Sequence, residues 1–163
     1  MAPIRYDVNF INPFLQAVLD TFFKLANMKL TPDKPFIKEK GAPRGDISGV
    51  ILIKGKLKGS ISLTLSEGVA LAAVQTLTGE PKEEIDNDVR DLVGELTNII
   101  SGQGRRVLAD MGHYLEAAIP EIVVGKKHII QHTANSPILA IPFNSAEGEI
   151  VVEICLEAGS FKR

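Results

Sequence analysis

Gly59-Ser-Ile-Ser-Leu-Thr-Leu65 alternates small polar and apolar residues, which places Ile61, Leu63 and Leu65 on one face of an extended strand. Gly148-Glu-Ile-Val-Val-Glu-Ile154, 89 residues further on, parallels it and also begins with glycine. A repeated unit of this size shapes the whole chain, so the flanking segments are read in pairs.

Upstream, Gly55-Lys-Leu-Lys-Gly59 reads as a hairpin loop, and Gly49-Val-Ile-Leu-Ile-Lys-Gly55 as the strand before it. Phe36–Lys40 is a short, weakly patterned strand, and Gly41-Ala-Pro-Arg-Gly45 a turn cluster. Before these lies a helix. Asn12 is placed to cap it, Pro13 suits its first position, and Phe14, Leu15, Val18, Leu19, Phe22 and Leu25 recur with helical period. The two prolines between Lys29 and Pro35 end it.

Downstream, Ser66 opens a short helix carrying Ala70, Leu71, Val74 and Leu77, and Gly79-Glu-Pro81 stops it. A long amphipathic segment then runs from about Glu84 to Met111. Asp86 and Asp88 lie in its first turns, Arg105-Arg106 near its end, and Gly112 is its expected C-cap. After Pro120, the runs Ile122–Val124, Ile138–Phe143 and Glu149–Leu156 read as strands. The order is helix, three strands, short helix, helix, three strands. Two α-β-β-β units, roughly residues 8–66 and 84–157, predict a single α+β domain over 1–163. Its sheet is antiparallel-rich, and the two long helices pack on one face.

Composition narrows the function classes. The 163 residues suffice for one sizeable core. A net charge of −2, without a Lys/Arg run, argues against nucleic acid and anionic membrane as partners. Cys155 is the only cysteine, which excludes an intramolecular disulfide and a cysteine-rich zinc site; its apolar alternating run marks it as a buried small hydrophobe. No apolar run approaches the roughly 18 residues of a membrane span, and the N-terminus lacks a signal-peptide profile, so a cytoplasmic location is expected. His128 and His132 are four apart but fall in a strand-and-loop segment where that spacing does not converge, so no metal site is expected.

The chemistry concentrates in Asp91-Leu-Val-Gly-Glu95-Leu-Thr-Asn98. On a helix, Asp91, Glu95, Asn98 and Gly102 share a sector of about 60°. Ile85, Val89, Leu92, Leu96, Ile99, Ile100 and Val107 occupy the other side and face the core. Polar residues outside a helix are ordinarily a solvated face. Asn98, however, is a poor helix former, and Gly102 and Gly104 each cost about 1 kcal/mol relative to alanine. Exposed glycine leaves room for another surface to approach. A carboxamide donates and accepts at once, so it can hold a water in line with an electrophile. Neither a nucleophile–histidine pair nor enough carboxylates for a magnesium site accompanies it. For phosphate chemistry, metal and electrophile would come from a partner.

The sequence here resembles the CheC/CheX family of chemotaxis phosphatases, and CheX most. The family motif is Asp or Ser, three residues, Glu, two residues, Asn, then proline some 22 residues on. Asp91, Glu95 and Asn98 match it, with Pro120 after 21 residues, one fewer than the pattern. Asn12-Pro13-Phe14 and Val123-Val-Gly-Lys-Lys-His128 are also similar to CheX-type chains. The resemblance implies a CheC-like fold, a homodimer, and dephosphorylation of a CheY-like response regulator whose own receiver domain carries the aspartyl phosphate and Mg²⁺. It implies Asn98 as the water-positioning catalytic residue and Glu95 as a catalytic-site residue that docks on a regulator lysine. Asp91, at the first motif position, either stabilises the helix or rims the partner-binding face, on which Gly102 leaves room for approach, and Pro120 is structural. The first helix carries no Asp-x3-Glu-x2-Asn, which implies one site per chain. The alternative is a non-catalytic CheX-like adaptor in two-component signalling.

Overall fold

The computed structural model describes residues 6–39 and 45–158. The turn cluster at 41–44, and Lys40 of the first strand expected, lie outside them. Among the described residues the order is α1 (Val8–Ala26), β1 (Thr31–Pro32), β2 (Phe36–Lys38), β3 (Ile47–Gly55), β4 (Leu57–Leu65), α2 (Glu67–Thr78), α3 (Asn87–Asp110), β5 (Leu115–Ala117), β6 (Glu121–Val124), β7 (Ile138–Ser145) and β8 (Gly148–Ala158).

The two alternating strands, β4 and β8, are neighbours at the centre of one sheet. β4 pairs antiparallel with β8, Ile61 opposite Ile154 and Leu63 opposite Val152. β3 and β7 flank them, giving the order β1-β7-β8-β4-β3-β5, with β2 also on β7 and β6 also on β3. Each half thus supplies the edge of the other: β1 and β2 follow α1 but pair with β7, while β5 and β6 follow α3 and pair with β3. Every pairing is antiparallel.

Eight strands stand where six were expected, because each edge strand is broken in two. The second piece starts directly after a proline, Pro35 before β2 and Pro120 before β6. Proline has no N–H for a ladder and is confined to edges and strand starts. The hairpin connection is also tighter than expected, since Leu57 already pairs in β4.

The main core lies between sheet and helices. Ile61, Leu63 and Leu65 meet Ile150, Val152 and Ile154 from β8, with Phe14, Phe22, Leu96 and Ile100 from the long helices. Gly49 of β3 has no side chain because α3 comes too close: a Cβ there would lie 2.1 Å from Thr97 Oγ1.

Helix starts differ from expectation in two cases: α3 begins at Asn87 rather than near Glu84, which leaves Ile85 before the helix, and α1 begins early. Ser66 caps α2, accepting from Val69 N, and Asp86 caps α3 likewise from Val89 N. The first helix begins a turn earlier than Asn12 suggests. Asp7 is its N-cap, accepting from Phe10 N at 3.1 Å, and Pro13 sits inside the helix. Interior proline costs about 3 kcal/mol. The extra turn buries Phe10 against Tyr6 and Phe14, with ring centroids 5.3 and 5.9 Å away, which offsets that cost. At the other end of α3 the C-cap is Met111, with Gly112 following at positive φ.

The back of the sheet is not solvated either. Ser48, Ser60, Ser62, Thr64 and Glu153 point away from the helices yet are buried. Residues 125–137 are tied over that face by two histidines. Gly125 O can only accept, so His128 donates from Nδ1 at 2.7 Å, and its Nε2 accepts from Ser48 Oγ at 2.6 Å. His132 donates from Nε2 to Glu153 Oε1 at 3.0 Å and accepts at Nδ1 from Ser60 Oγ at 2.6 Å. Lys38 Nζ reaches the same Glu153 oxygen at 2.9 Å, the pair being almost wholly buried. Cys155, also fully buried, belongs to a small apolar cluster there with Ala134 and Ile138.

Candidate functional site

α3 is positioned by its buried side. Val89, Val93, Leu96, Thr97, Ile100, Ser101, Gly104 and Leu108 are buried on it. This stripe is shifted from the one expected: Val107 is 41% exposed and lines a groove against α1, while Val93, Thr97 and Leu108 fill the core. Thr97 is tolerated inside because its hydroxyl donates back to Val93 O at 2.6 Å. Gly104 lies under α1, where an added Cβ would fall 2.3 Å from Phe14 Cε1. Its helix cost is thus explained by close packing within the chain.

The opposite side carries the four residues singled out from the sequence. Asp91, Glu95 and Asn98 are exposed and Gly102 is half-buried. Among the described residues, the side chains of Asp91, Glu95 and Asn98 take part in no hydrogen bond or ion pair. Gly102 is open: the nearest atom to a Cβ there would be a terminal nitrogen of Arg105, 3.9 Å away. The helix therefore offers a carboxylate and a carboxamide one turn apart, uncommitted to the fold, beside a glycine that keeps the surface low.

A well-formed concavity lies elsewhere. A groove of about 720 Å³ runs between α1 and α3, lined by Asn9, Asn12, Gln16, Gln103, Val107 and Met111 among others, and includes none of the four stripe residues. The stripe is a convex surface, suited to entering a partner's cavity rather than enclosing a small molecule. Among the described residues no cluster of three His, Cys, Asp or Glu could hold a metal ion, so the stripe by itself does not fit Mg²⁺. No helix of the described residues is long and apolar enough to cross a membrane.

Sequence reasoning missed the Lys38–Glu153–His132–Ser60 network. Its members are spread over more than a hundred residues, and alternation in β8 marks Glu153 only as a residue off the core face. Burial pushes the Glu153 carboxyl up, but the hydrogen bonds from His132 and Lys38 and the Lys38 charge outweigh it and hold its pKa below the usual glutamate value.

The fold and the exposed polar stripe define a class: an α+β protein whose long helix leaves a polar face open to solvent. The chain matches the family model for the chemotaxis phosphatase CheX over residues 47–144, and it belongs to the CheX family. A CheC-like superfamily protein from Shewanella sp. PV-4 is similar at 41% identity, over 93% of this chain and 99% of that one, with a TM-score of 0.87. The chemotaxis protein CheX from Vibrio vulnificus is similar at 39%, over 92% and 100%, with a TM-score of 0.86. A Borrelia burgdorferi CheX, crystallised with CheY, BeF3 and Mg, shares the fold at 24% identity over 93% and 99%, with a TM-score of 0.76. No curated protein sequence matches the chain.

Proposed function

We propose that this protein hydrolyses the aspartyl phosphate of a CheY-like receiver domain. The carrying observation is that Glu95 and Asn98 stand exposed and uncommitted on the outer face of α3, whose other face is locked in the core. Family membership supports the reaction class. The Borrelia relative, bound to CheY with BeF3 and Mg, supports the kind of partner.

In this reading α3 enters the receiver's phosphorylation site. The Asn98 carboxamide accepts a hydrogen bond from a water and orients its oxygen toward phosphorus, opposite the acyl oxygen. The water oxygen bonds to phosphorus as the bond from phosphorus to the aspartyl oxygen breaks. The receiver carboxylate is the leaving group and inorganic phosphate is released. Mg²⁺ belongs to the receiver and offsets charge on the phosphoryl oxygens. Glu95, one turn from Asn98, pairs with a receiver lysine and sets the register of docking. Asp91 and Gly102 lie along the same contact. This chain supplies positioning and forms no covalent intermediate.

A homodimer with one such site per chain belongs to the same reading, and light scattering tests it. The reaction itself is tested by the lifetime of a phosphorylated receiver with wild type and with Asn98→Ala. The wild type shortens it and the variant does not; equal activity in the two rejects Asn98 as the water-positioning residue.

A further inference from the structure

Asp91, Asn98 and Arg105 recur at intervals of seven residues, so the stripe continues two turns past Asn98, about 10.5 Å along the axis. Arg105 is held there. Its Nε–H donates to Ser101 Oγ at 3.2 Å, and Ser101 is fully buried, so the tether is fixed by the core. The guanidinium folds back beside Gly102.

Among the described residues Arg105 has no carboxylate within 4.0 Å, and the Ser101 hydroxyl is its one hydrogen-bond acceptor. Arg105 is also half-buried, and burial lowers its pKa, although a guanidinium stays charged. An ordinary solvated surface arginine is free to move and well hydrated. This one is partly desolvated, tethered through Nε, and presents both terminal nitrogens without an acceptor.

We infer that Arg105 is a docking residue of the stripe, pairing with a carboxylate at the rim of the receiver's phosphoryl site, and that Gly102 keeps its guanidinium uncovered. The assignment takes the receiver-phosphatase reading as its premise. A site that holds an aspartyl phosphate and a divalent cation gathers carboxylates around them, because Mg²⁺ takes oxygen ligands. Its rim is therefore acidic, and a guanidinium fork matches a carboxylate in two parallel hydrogen bonds. With Glu95 near one end of the stripe and Arg105 at the other, the docking face is charged in opposite senses about Asn98. That fixes the direction in which α3 lies on its partner.

The test follows steady-state phosphate release from a phosphorylated CheY-like receiver for wild type, Arg105→Gln, Arg105→Lys and Asn98→Ala. Binding to the same receiver, loaded with beryllofluoride and Mg²⁺, is titrated at low and high ionic strength. Arg105→Gln raises KM about tenfold and leaves kcat within about twofold, as loss of one charge-assisted contact requires. Arg105→Lys recovers part of the loss, and the salt dependence of binding is shallower in Arg105→Gln than in wild type. A KM and affinity equal to wild type in Arg105→Gln overturns the assignment, as does a fall in kcat at unchanged KM. With an active wild type and an inactive Asn98→Ala, either result rejects Arg105 alone. An inactive wild type rejects the proposed function and this assignment with it. Urea midpoints check the fold of each variant, and if Arg105→Gln is unfolded, Arg105→Lys, which keeps the charge but loses the guanidinium fork, must raise KM in its place.

Discussion

Gly104 of α3 lies directly under the ring of Phe14 in α1, close enough that a Cβ at Gly104 would overlap Phe14 Cε1 at 2.3 Å. The two glycines of the same helix turn are thus different in kind. Gly104→Ala forces the helices apart and destabilises by about 1–3 kcal/mol, less the roughly 1 kcal/mol gained in helix propensity. Gly102→Ala meets only a side-chain nitrogen at 3.9 Å and leaves stability unchanged or raised by up to about 1 kcal/mol. Urea denaturation of both variants decides it; equal effects would mean that the close approach does not hold the helices.

The start of α1 gives a second contrast. Asp7→Ala removes the cap on Phe10 N and costs about 1 kcal/mol. Asn12→Ala, inside the helix, changes stability by less than about 0.5 kcal/mol. A larger loss at Asn12 than at Asp7, in thermal or urea unfolding, would restore the later start.

These two sites show where the sequence was legible. Alternation in β4 and β8, and the heptad-like spacing on α3, are local patterns, and they suffice for the paired halves and the exposed stripe. The start of α1 depended on Tyr6 and Phe10 packing, which no local rule weighs against a good Asn-Pro capping pair. Val107 falls on the core side of a helical wheel because the wheel treats the core as one flat side. α1 crosses α3 at Gly104 and leaves Val107 beside an open groove. The buried polar back of the sheet was hidden for another reason. Ser60 and Ser62 look like a solvated strand face until residues 125–137 are folded over them. Asp91, Glu95, Asn98 and Gly102 were found where the helix period placed them, but their roles came from the family motif.

Glu153 makes the stability depend on acid. Its folded pKa lies below the unfolded glutamate value of about 4.3, so its stabilisation is fully present above that pH and is lost as pH falls through the folded value. Wild type therefore loses stability between about pH 5 and pH 3 more steeply than Glu153→Gln, which cannot titrate. At neutral pH Glu153→Gln is less stable by about 3–5 kcal/mol, because Lys38 is left buried without its counter-charge. Urea midpoints across this pH range test both statements; parallel pH profiles for the two proteins would contradict them.

Glu95 is expected to act in docking rather than in the chemical step. Glu95→Gln keeps the shape and removes the charge, so it raises KM for the phosphorylated receiver by about tenfold and affects kcat much less. Steady-state kinetics with receiver concentration varied separates the two. An unchanged KM would remove Glu95 from the contact.

The most direct measurement is the decay of a phosphorylated CheY-like receiver with Asn98→Ala, alongside that variant's affinity for the beryllofluoride-loaded receiver. The account predicts that acceleration of phosphate loss falls by about 100-fold or more, since a positioned water is lost, while affinity stays within a few-fold of wild type. Asn98→Ala that binds normally and still shortens the phosphate lifetime as wild type does would contradict it.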